Sequence, residues 1–215
     1  MRLPELETLS LELSGGIARI GLNRPDKANA INLRMWQELR EAMRWLGRCE
    51  AARVGILFAH GRHFCAGLDL ATFAELQALT QNTCEGRMRE QLREHILDIQ
   101  DTVTTIERCS KPVIAAVHAA CVGGGIDIIA ACDLRYASSH AWFCVKEIDV
   151  ALVADVGTLQ RWPRLIGEGL ARELAFTGRR VEADEAASMH LVNRCFDSDA
   201  DLMREARAMA AHLAT

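Results

Sequence analysis

The 215 residues suffice for one domain with a substantial core, since half of them are hydrophobic and a quarter are charged. The formal net charge of −4 gives no basic footprint of the kind that binds nucleic acid. No apolar run approaches the roughly 20 residues of a membrane-spanning helix, and the first residues lack the apolar segment of a secretory signal. We therefore expect binding neither to nucleic acid nor to membranes.

The first half of the chain alternates strand-like and helical patterns. Leu6–Leu13 and Ile17–Leu22 are strand-like runs around Gly15-Gly16, which indicates a hairpin. Asn32 can cap a helix whose apolar residues recur every three or four positions. A short buried strand is predicted for residues 54–59.

The same alternation continues further along the chain. A long helix with an apolar stripe from Met88 to Ile106 is predicted to end before Lys111-Pro112. Short strands are predicted at 113–117, 134–137 and 142–145. Strands alternating with helices predict an α/β fold built from crossover units around a core.

The segment around His190 predicts an unusual backbone conformation. Asp184–Met189 is helical in pattern, and Leu191-Val192 is interpreted as the start of a strand. A helix that turns abruptly into a strand commonly places the intervening residue in the left-handed region, where Gly is favoured. We expect His190 to have a positive φ, which histidine tolerates better than most residues.

The loop after the predicted strand 54–59 is a candidate binding loop. It runs from His60 to Leu70 and includes Ala66 and Gly67. Small residues let the backbone turn sharply and leave amide N–H groups free to face a ligand. Taken alone, the loop is more simply interpreted as an ordinary connection between a strand and a helix.

Three consecutive glycines, Gly123 to Gly125, precede an apolar helix predicted for Ile126–Ala131. They allow close backbone approach, and the first N–H groups of a helix can hold negative charge. A phosphate loop would show GxxxxGK[ST] or GxGxxG, and neither motif is present. Tight packing of strand against helix is the alternative.

Three acidic residues are candidates for chemistry near these glycines. Asp127 lies one helical turn beyond Gly124, and Glu147 follows the predicted strand 142–145. Asp155 interrupts the apolar stretch from Val150, where an acid is costly unless it is paired or functional. The alternative is that each acid is a solvated loop residue or a helix cap.

Together these motifs resemble the enoyl-CoA hydratase/isomerase (crotonase) family. Leu22–Ala30 resembles its first signature, Phe64–Leu70 its second and Lys111–Ala137 its central glycine segment, in the same order and spacing. The resemblance covers nearly all of the chain from about Leu6. It implies a spiral of ββα units, usually assembled as a homotrimer or a dimer of trimers.

The resemblance also implies a site for an acyl-CoA thioester. The N–H groups of Leu68 and Gly124 would form the oxyanion hole for the thioester carbonyl. Coenzyme A is part of the substrate, so no separate cofactor and no metal are expected. The residues implied to lie along the substrate are Ala66, Gly67, Leu68, Asp69, Leu70, Gly124 and Lys27.

Val145–Gln160 closely resembles one branch of the family, the dienoyl-CoA isomerases, as does the Gly-Gly-Gly-Ile-Asp segment that ends at Asp127. Hydratases carry Glu at that last position. The implied reaction converts 3,5-dienoyl-CoA to 2,4-dienoyl-CoA. In it Glu147 is the base at C2, Asp155 is the acid at C6, and Asp127 holds or tunes the pair.

Other functions stay open at this point. A simpler isomerase would need only Glu147, a hydratase would use Glu147 with Asp127, and a non-catalytic protein would bind acyl-CoA alone. Family members usually continue for several further helices, so we expect the usual C-terminal helical extension to be largely missing. We expect a crotonase-like core over residues 1–198 and the start of a helical region over 199–215. We also expect a cytoplasmic location, because the eight cysteines include no CxxC pair and are interpreted mainly as reduced, buried thiols.

Overall fold

The structure, a computed structural model, describes residues 2–72 and 84–215. The strands are β1 (Leu9–Ser14), β2 (Ile17–Leu22), β3 (Val54–Ala59), β4 (Val113–Val117), β5 (Ala120–Val122), β6 (Leu134–Ser138), β7 (Trp142–Cys144), β8 (Val181–Glu182) and β9 (Arg194–Phe196). The α-helices are α1 (Leu33–Arg48), α2 (Glu85–Glu107), α3 (Gly124–Ala130), α4 (Thr158–Ile166), α5 (Glu168–Thr177), α6 (Ala183–Ser188) and α7 (Asp199–Ala214). Short 3₁₀ turns occur at Pro25–Lys27 and Glu147–Val150.

The strands form two sheets. The larger has the order β1-β2-β3-β4-β6-β9, in which only the predicted hairpin β1-β2 is antiparallel among the described strands. The smaller has the order β5-β7-β8, with β5 and β7 parallel. Helices connect the parallel strands, so the predicted α/β class is confirmed.

The two faces of the larger sheet belong to different cores. Along β4, Ala115 packs into the main core with the buried side of α1, whereas Ile114 faces a second core. This alternation follows the period of two in a strand. The second core is covered by α7, which contributes Leu202, Ala206 and Ala210.

Most predicted elements are present with ends that differ by at most three residues, such as the first strand, which begins at Leu9 and not at Leu6, and one predicted element is wrong. Asn32 caps α1 by accepting the N–H of Met35 at 2.9 Å, and His190 has a φ of 66°. No strand begins at Leu191. The N–H of Val192 instead donates to the carbonyl of Ala186 at 3.2 Å, which closes a turn. The next strand to pair with the sheet is β9, which begins at Arg194.

No helix in the described ranges is both long enough and apolar enough to cross a membrane. Within the same ranges, His, Cys, Asp and Glu side chains form no group of three or more that could hold a metal ion.

Candidate active site

The candidate site lies where parallel strands end. The loop after β3 pairs with β5 through a parallel bridge, because the N–H of Cys65 donates to Ala120 O at 2.9 Å and the N–H of Val122 donates to Cys65 O at 2.9 Å. The glycine turn follows β5, and the 3₁₀ turn that begins with Glu147 follows β7. The ends of parallel strands are a common place for ligands in α/β proteins.

The loop after β3 uses its amides in a way that leaves Leu68 unpaired. The N–H of Ala66 donates to Ala28 O at 3.0 Å, and that of Asp69 donates to Ile31 O at 2.9 Å. The N–H of Gly67 donates to the Cys65 sulfur at 3.4 Å. Within residues 2–72 and 84–215, the N–H of Leu68 has no hydrogen-bond acceptor, so it is free to face a ligand.

The glycine turn presents a second such amide. Gly123 has φ 51° and ψ −118°, a conformation open in practice only to glycine. Its N–H bonds to Cys144 O at 3.0 Å, whereas that of Gly124, the first residue of α3, has no acceptor in the described part of the chain. A Cβ on Gly123 would lie 3.7 Å from Gly67 Cα, so the two loops are in direct contact.

The carboxyl of Glu147 lies against this glycine turn. A Cβ on Gly123 would meet Glu147 Oε1 at 2.9 Å. Oε2 is buried, and no group in the described ranges donates a hydrogen bond to it. Burial raises the pKa of Glu147, and the charge of Asp155 raises it further. A buried carboxylate oxygen without a donor favours taking up a proton, which is what a base must do.

Asp127 is fully inside the protein and is tied to the start of α4. Its Oδ1 accepts both the N–H and the hydroxyl of Thr158, each at 2.7 Å. Burial raises the pKa of Asp127 to about 7, and the charges of Glu147 and Asp155 act in the same direction. The charges of the other two acids therefore favour the protonated form of Asp127.

Asp155 is half-buried, and burial raises its pKa as well. The apolar residues before it were expected to be buried, but they are exposed: Val150 is 53%, Leu152 is 44% and Val153 is 66% exposed. The premise that Asp155 interrupts a buried apolar stretch is thus wrong. The stretch forms a surface turn, and only Ala154 beside the acid is fully buried.

The residues implied to lie along the substrate differ in exposure. Ala66, Leu70 and Lys27 are exposed, whereas Leu68 is half-buried. The Asp69 carboxylate is already engaged: it pairs with Arg24 at 2.8 Å and accepts the N–H of Ala71 at 3.1 Å. The hydrogen bond from Arg24 holds the pKa of Asp69 below its usual value. This side chain therefore shapes the loop.

Two residues that form hydrogen bonds to the candidate acids were not among the candidates identified from the sequence. Thr158 binds Asp127, and Gln100 Nε2 donates to the backbone carbonyl of Asp155 at 2.6 Å. The sequence carried a signal for each. Thr158 follows Gly157 at the start of a helix, and Gln100 is a polar residue on the apolar stripe between Ile96 and Val103.

Comparison with known proteins agrees with the family predicted from the motifs. The chain matches the enoyl-CoA hydratase/isomerase family model over residues 12–215. It is 42% identical over 198 residues to the peroxisomal Delta(3,5)-Delta(2,4)-dienoyl-CoA isomerase of Arabidopsis thaliana, covering 92% of this chain and 71% of that protein. It is 43% identical over 200 residues to the mitochondrial enzyme of the same name from Homo sapiens, but spans only 61% of it.

Solved structures agree on the fold. The putative enoyl-CoA hydratase of Streptomyces coelicolor A3(2) superposes with a TM-score of 0.89 at 30% identity, covering 100% of this chain and 75% of that one. The enoyl-CoA hydratase of Bacillus anthracis gives 0.85 at 33% identity, covering 97% and 77%. The predicted crotonase-like fold is confirmed.

The cytoplasmic location expected from the sequence is wrong by the same comparison. The plant relative is named peroxisomal and the human relative mitochondrial. The expectation used cysteine spacing and the first few residues. Thiols packed in a core do not distinguish these compartments, and an organelle address is a short segment that adds nothing to the core.

The family assignment now has two independent supports. The family model covers most of the chain. The two relatives named above are enzymes, and they are 42% and 43% identical to the chain over the aligned residues. The interpretation of the chain as a member of an enzyme family is confirmed with it. The chain belongs to the enoyl-CoA hydratase/isomerase family.

Proposed function

We propose that the chain converts 3,5-dienoyl-CoA to 2,4-dienoyl-CoA. The observation that carries this proposal is Asp155, a third acid with a raised pKa that interacts with Glu147 and Asp127. A shift of one double bond needs a single base, whereas a shift of two must handle protons at C2 and C6, four bonds apart. The two isomerase relatives support the same reaction.

In this proposal the thioester carbonyl accepts hydrogen bonds from the N–H groups of Leu68 and Gly124, which have no other acceptor in the described ranges. These hydrogen bonds stabilise the negative charge that develops on the oxygen, and this stabilisation acidifies the C2–H. One such donor typically contributes about 3–4 kcal/mol to the transition state. Coenzyme A would extend along Ala66–Leu70 toward the exposed Lys27.

The two proton transfers have separate carriers. Glu147 removes a proton from C2, and the electron pair spreads over C2, C4 and C6 as a dienolate. Asp155 then gives a proton to C6, which leaves double bonds at C2 and C4. After one turnover Glu147 holds the proton and Asp155 lacks one, so a proton must return before the next cycle. Asp127, with a pKa of about 7, keeps the three acids from ionising together.

The test is the ultraviolet spectrum of 3,5-dienoyl-CoA after mixing with the protein, because the product diene is conjugated with the thioester and the substrate diene is not. Glu147→Gln and Asp155→Asn should each lose at least about 100-fold in rate while coenzyme A affinity is unchanged. Full activity of Asp155→Asn would instead identify a single-base isomerase. Binding without turnover in the unmodified protein would identify a non-catalytic acyl-CoA-binding protein.

A hydratase is the second candidate, favoured by the solved structures of that name that share the fold. Hydration needs two carboxylates that hold one water. Here Asp127 Oδ1 already accepts two hydrogen bonds from Thr158, which ties that carboxylate to α4. Rapid hydration of crotonyl-CoA would decide for the hydratase. Assembly as a homotrimer or a dimer of trimers stays a prediction.

A further inference from the structure

The carboxyl of Asp155 is positioned mainly through its backbone. No side chain in the described part of the protein donates a hydrogen bond to this carboxyl. Its carbonyl accepts the Nε2–H of Gln100 at 2.6 Å, and its N–H donates to Val153 O at 2.8 Å. The direction of the acid therefore depends on how firmly these backbone groups are held.

The long helix α2 holds both ends of the segment from Asp155 to Arg161. Gln100 binds the first residue. At the other end, Nη2 of the buried Arg161 donates to Glu107 Oε2 at 2.6 Å, and its Nη1 donates to Gly157 O at 3.4 Å. Because Ile99, Val103 and Ile106 of the same helix are buried in the main core, α2 is a fixed support for this segment.

The chemistry of the donor matters as much as its place. Gln100 is neutral, so it fixes the carbonyl of Asp155 without changing the local charge. A lysine or arginine in the same place would stabilise the carboxylate and lower the pKa of Asp155. An acid that must deliver a proton needs the opposite. A neutral amide is thus the donor type that positions this acid without lowering its pKa.

We infer that Gln100 is a positioning residue for the protonation of C6, acting through the backbone carbonyl of Asp155. The inference rests on the proposed isomerase function. This role would affect proton delivery at C6 and not proton removal at C2. Loss of the Gln100 donor should impair proton delivery at C6, whereas proton removal at C2 by Glu147, whose carboxyl lies against the glycine turn, should continue.

The experiment compares two rates in Gln100→Met, which keeps the side-chain length and loses the donor. One is isomerisation, followed by ultraviolet absorbance. The other is incorporation of solvent deuterium at C2 of unreacted 3,5-dienoyl-CoA. We expect isomerisation to fall about 10- to 100-fold and C2 exchange to stay within about twofold. Gln91→Met, on the exposed face of the same helix, should change neither rate.

Gln100→Glu provides an independent measurement with the same side-chain shape. Its carboxylate repels the carbonyl of Asp155 near neutral pH, whereas its protonated form can donate at acid pH. Activity relative to the unmodified protein should therefore recover as the pH falls in Gln100→Glu and not in Gln100→Met. Equal loss of both rates in Gln100→Met, or unchanged isomerisation, would overturn the inference.

Amide hydrogen exchange separates this inference from the proposed function. If the unmodified protein does not isomerise the diene, the proposed function fails. Faster exchange of the amides of Val156, Gly157 and Thr158 in Gln100→Met would still show that Gln100 fixes this segment. Unchanged exchange would overturn the positioning role whatever the enzyme does. If Gln100→Met does not fold, the pH series on Gln100→Glu tests the inference alone: recovery of activity at acid pH supports the positioning role, and no recovery overturns it.

Discussion

The carboxyl of Asp127 titrates near neutral pH, because burial raises its pKa from 3.8 to about 7. A pKa raised on folding makes a contribution to stability that is complete below the unfolded value and is lost as the pH rises through the folded value. Asp127→Asn removes this titration and keeps an oxygen for Thr158. We expect the unfolding free energy of the unmodified protein, relative to the variant, to fall between about pH 4 and about pH 7.

Urea unfolding of both proteins across this pH range measures the difference directly. Glu147 and Asp155, whose pKa values are also raised, are present in both proteins, so most of their contribution cancels. A difference that is constant with pH would show that Asp127 is already ionised throughout.

His190 offers a test of backbone strain at one residue. Its φ of 66° lies in the left-handed region, which an exposed side chain with a Cβ adopts at a cost of about 1 kcal/mol relative to Gly. His190→Gly should raise the unfolding free energy by about that amount and leave activity unchanged. His190→Ala keeps the Cβ, so it should show no comparable gain. Loss of activity in both variants would reveal a functional imidazole.

Sequence proximity explains which residue-scale features were predictable. The positive φ of His190 follows from its immediate neighbours, so the sequence sufficed for it. The bond between Asp127 and Thr158 joins residues 31 positions apart, and that between Gln100 and Asp155 joins residues 55 apart. Pattern along the chain says which residues are polar, and only the fold says which of them meet.

The glycine turn is the element whose packing is most sensitive to one methyl group. A Cβ on Gly125 would lie 2.8 Å from Cys65 Cβ and 3.3 Å from Cys121 Sγ, and both neighbours are buried. Gly125→Ala should force α3 away from the loop after β3 and separate the Leu68 and Gly124 amides. We expect a loss of about 1–3 kcal/mol in stability and a large loss of activity.

Gly169→Ala is the matched control, because Gly169 lies in the first turn of α5 with nothing within 4 Å of a new Cβ. This substitution should leave activity unchanged and slightly raise stability, since alanine is the better helix former. Wild-type activity in Gly125→Ala would mean that the two amides need not stay together.

At the scale of elements, periodicity identified buried strands well and exposed turns poorly. Residues 54–59 and 113–117 form β3 and β4 with the predicted bounds, since a short buried run leaves few alternatives. The apolar residues from Val150 to Val153 are exposed in a turn, and Leu191-Val192 are buried without being a strand. Apolar character indicates burial only where the neighbouring elements supply a surface to cover it.

At the scale of the molecule, the main core and the second core share the strands of the larger sheet, so they should unfold together. Leu202 of α7 is fully buried in the second core, whereas three of the four tryptophans lie in the main core. We expect Leu202→Ala to lower the unfolding free energy by about 2–5 kcal/mol. Tryptophan fluorescence and circular dichroism should shift to the same urea midpoint, which is the mark of a two-state transition. An unshifted fluorescence midpoint would indicate independent cores.

The overall architecture was predictable from the motifs rather than from the periodicity. Alternating strands and helices gave the α/β class but not the order in which β4 pairs with β6 and β6 with β9. Agreement of three motifs in order and spacing led to the family, and with it to the fold. Periodicity could not separate β5 and β7 into a second sheet, because strand pairing depends on long-range contacts.

The proposed roles divide between separate stretches of the chain. The amides that would polarise the thioester come from the loops after β3 and β5, whereas two of the acids come from the single stretch between β7 and α4. Under these roles, substitutions in that one stretch change where protons are removed and delivered without disturbing thioester recognition. With roles divided in this way, a duplicated gene would need few mutations to acquire a different reaction, because the residues proposed to bind the coenzyme A ester would be inherited unchanged.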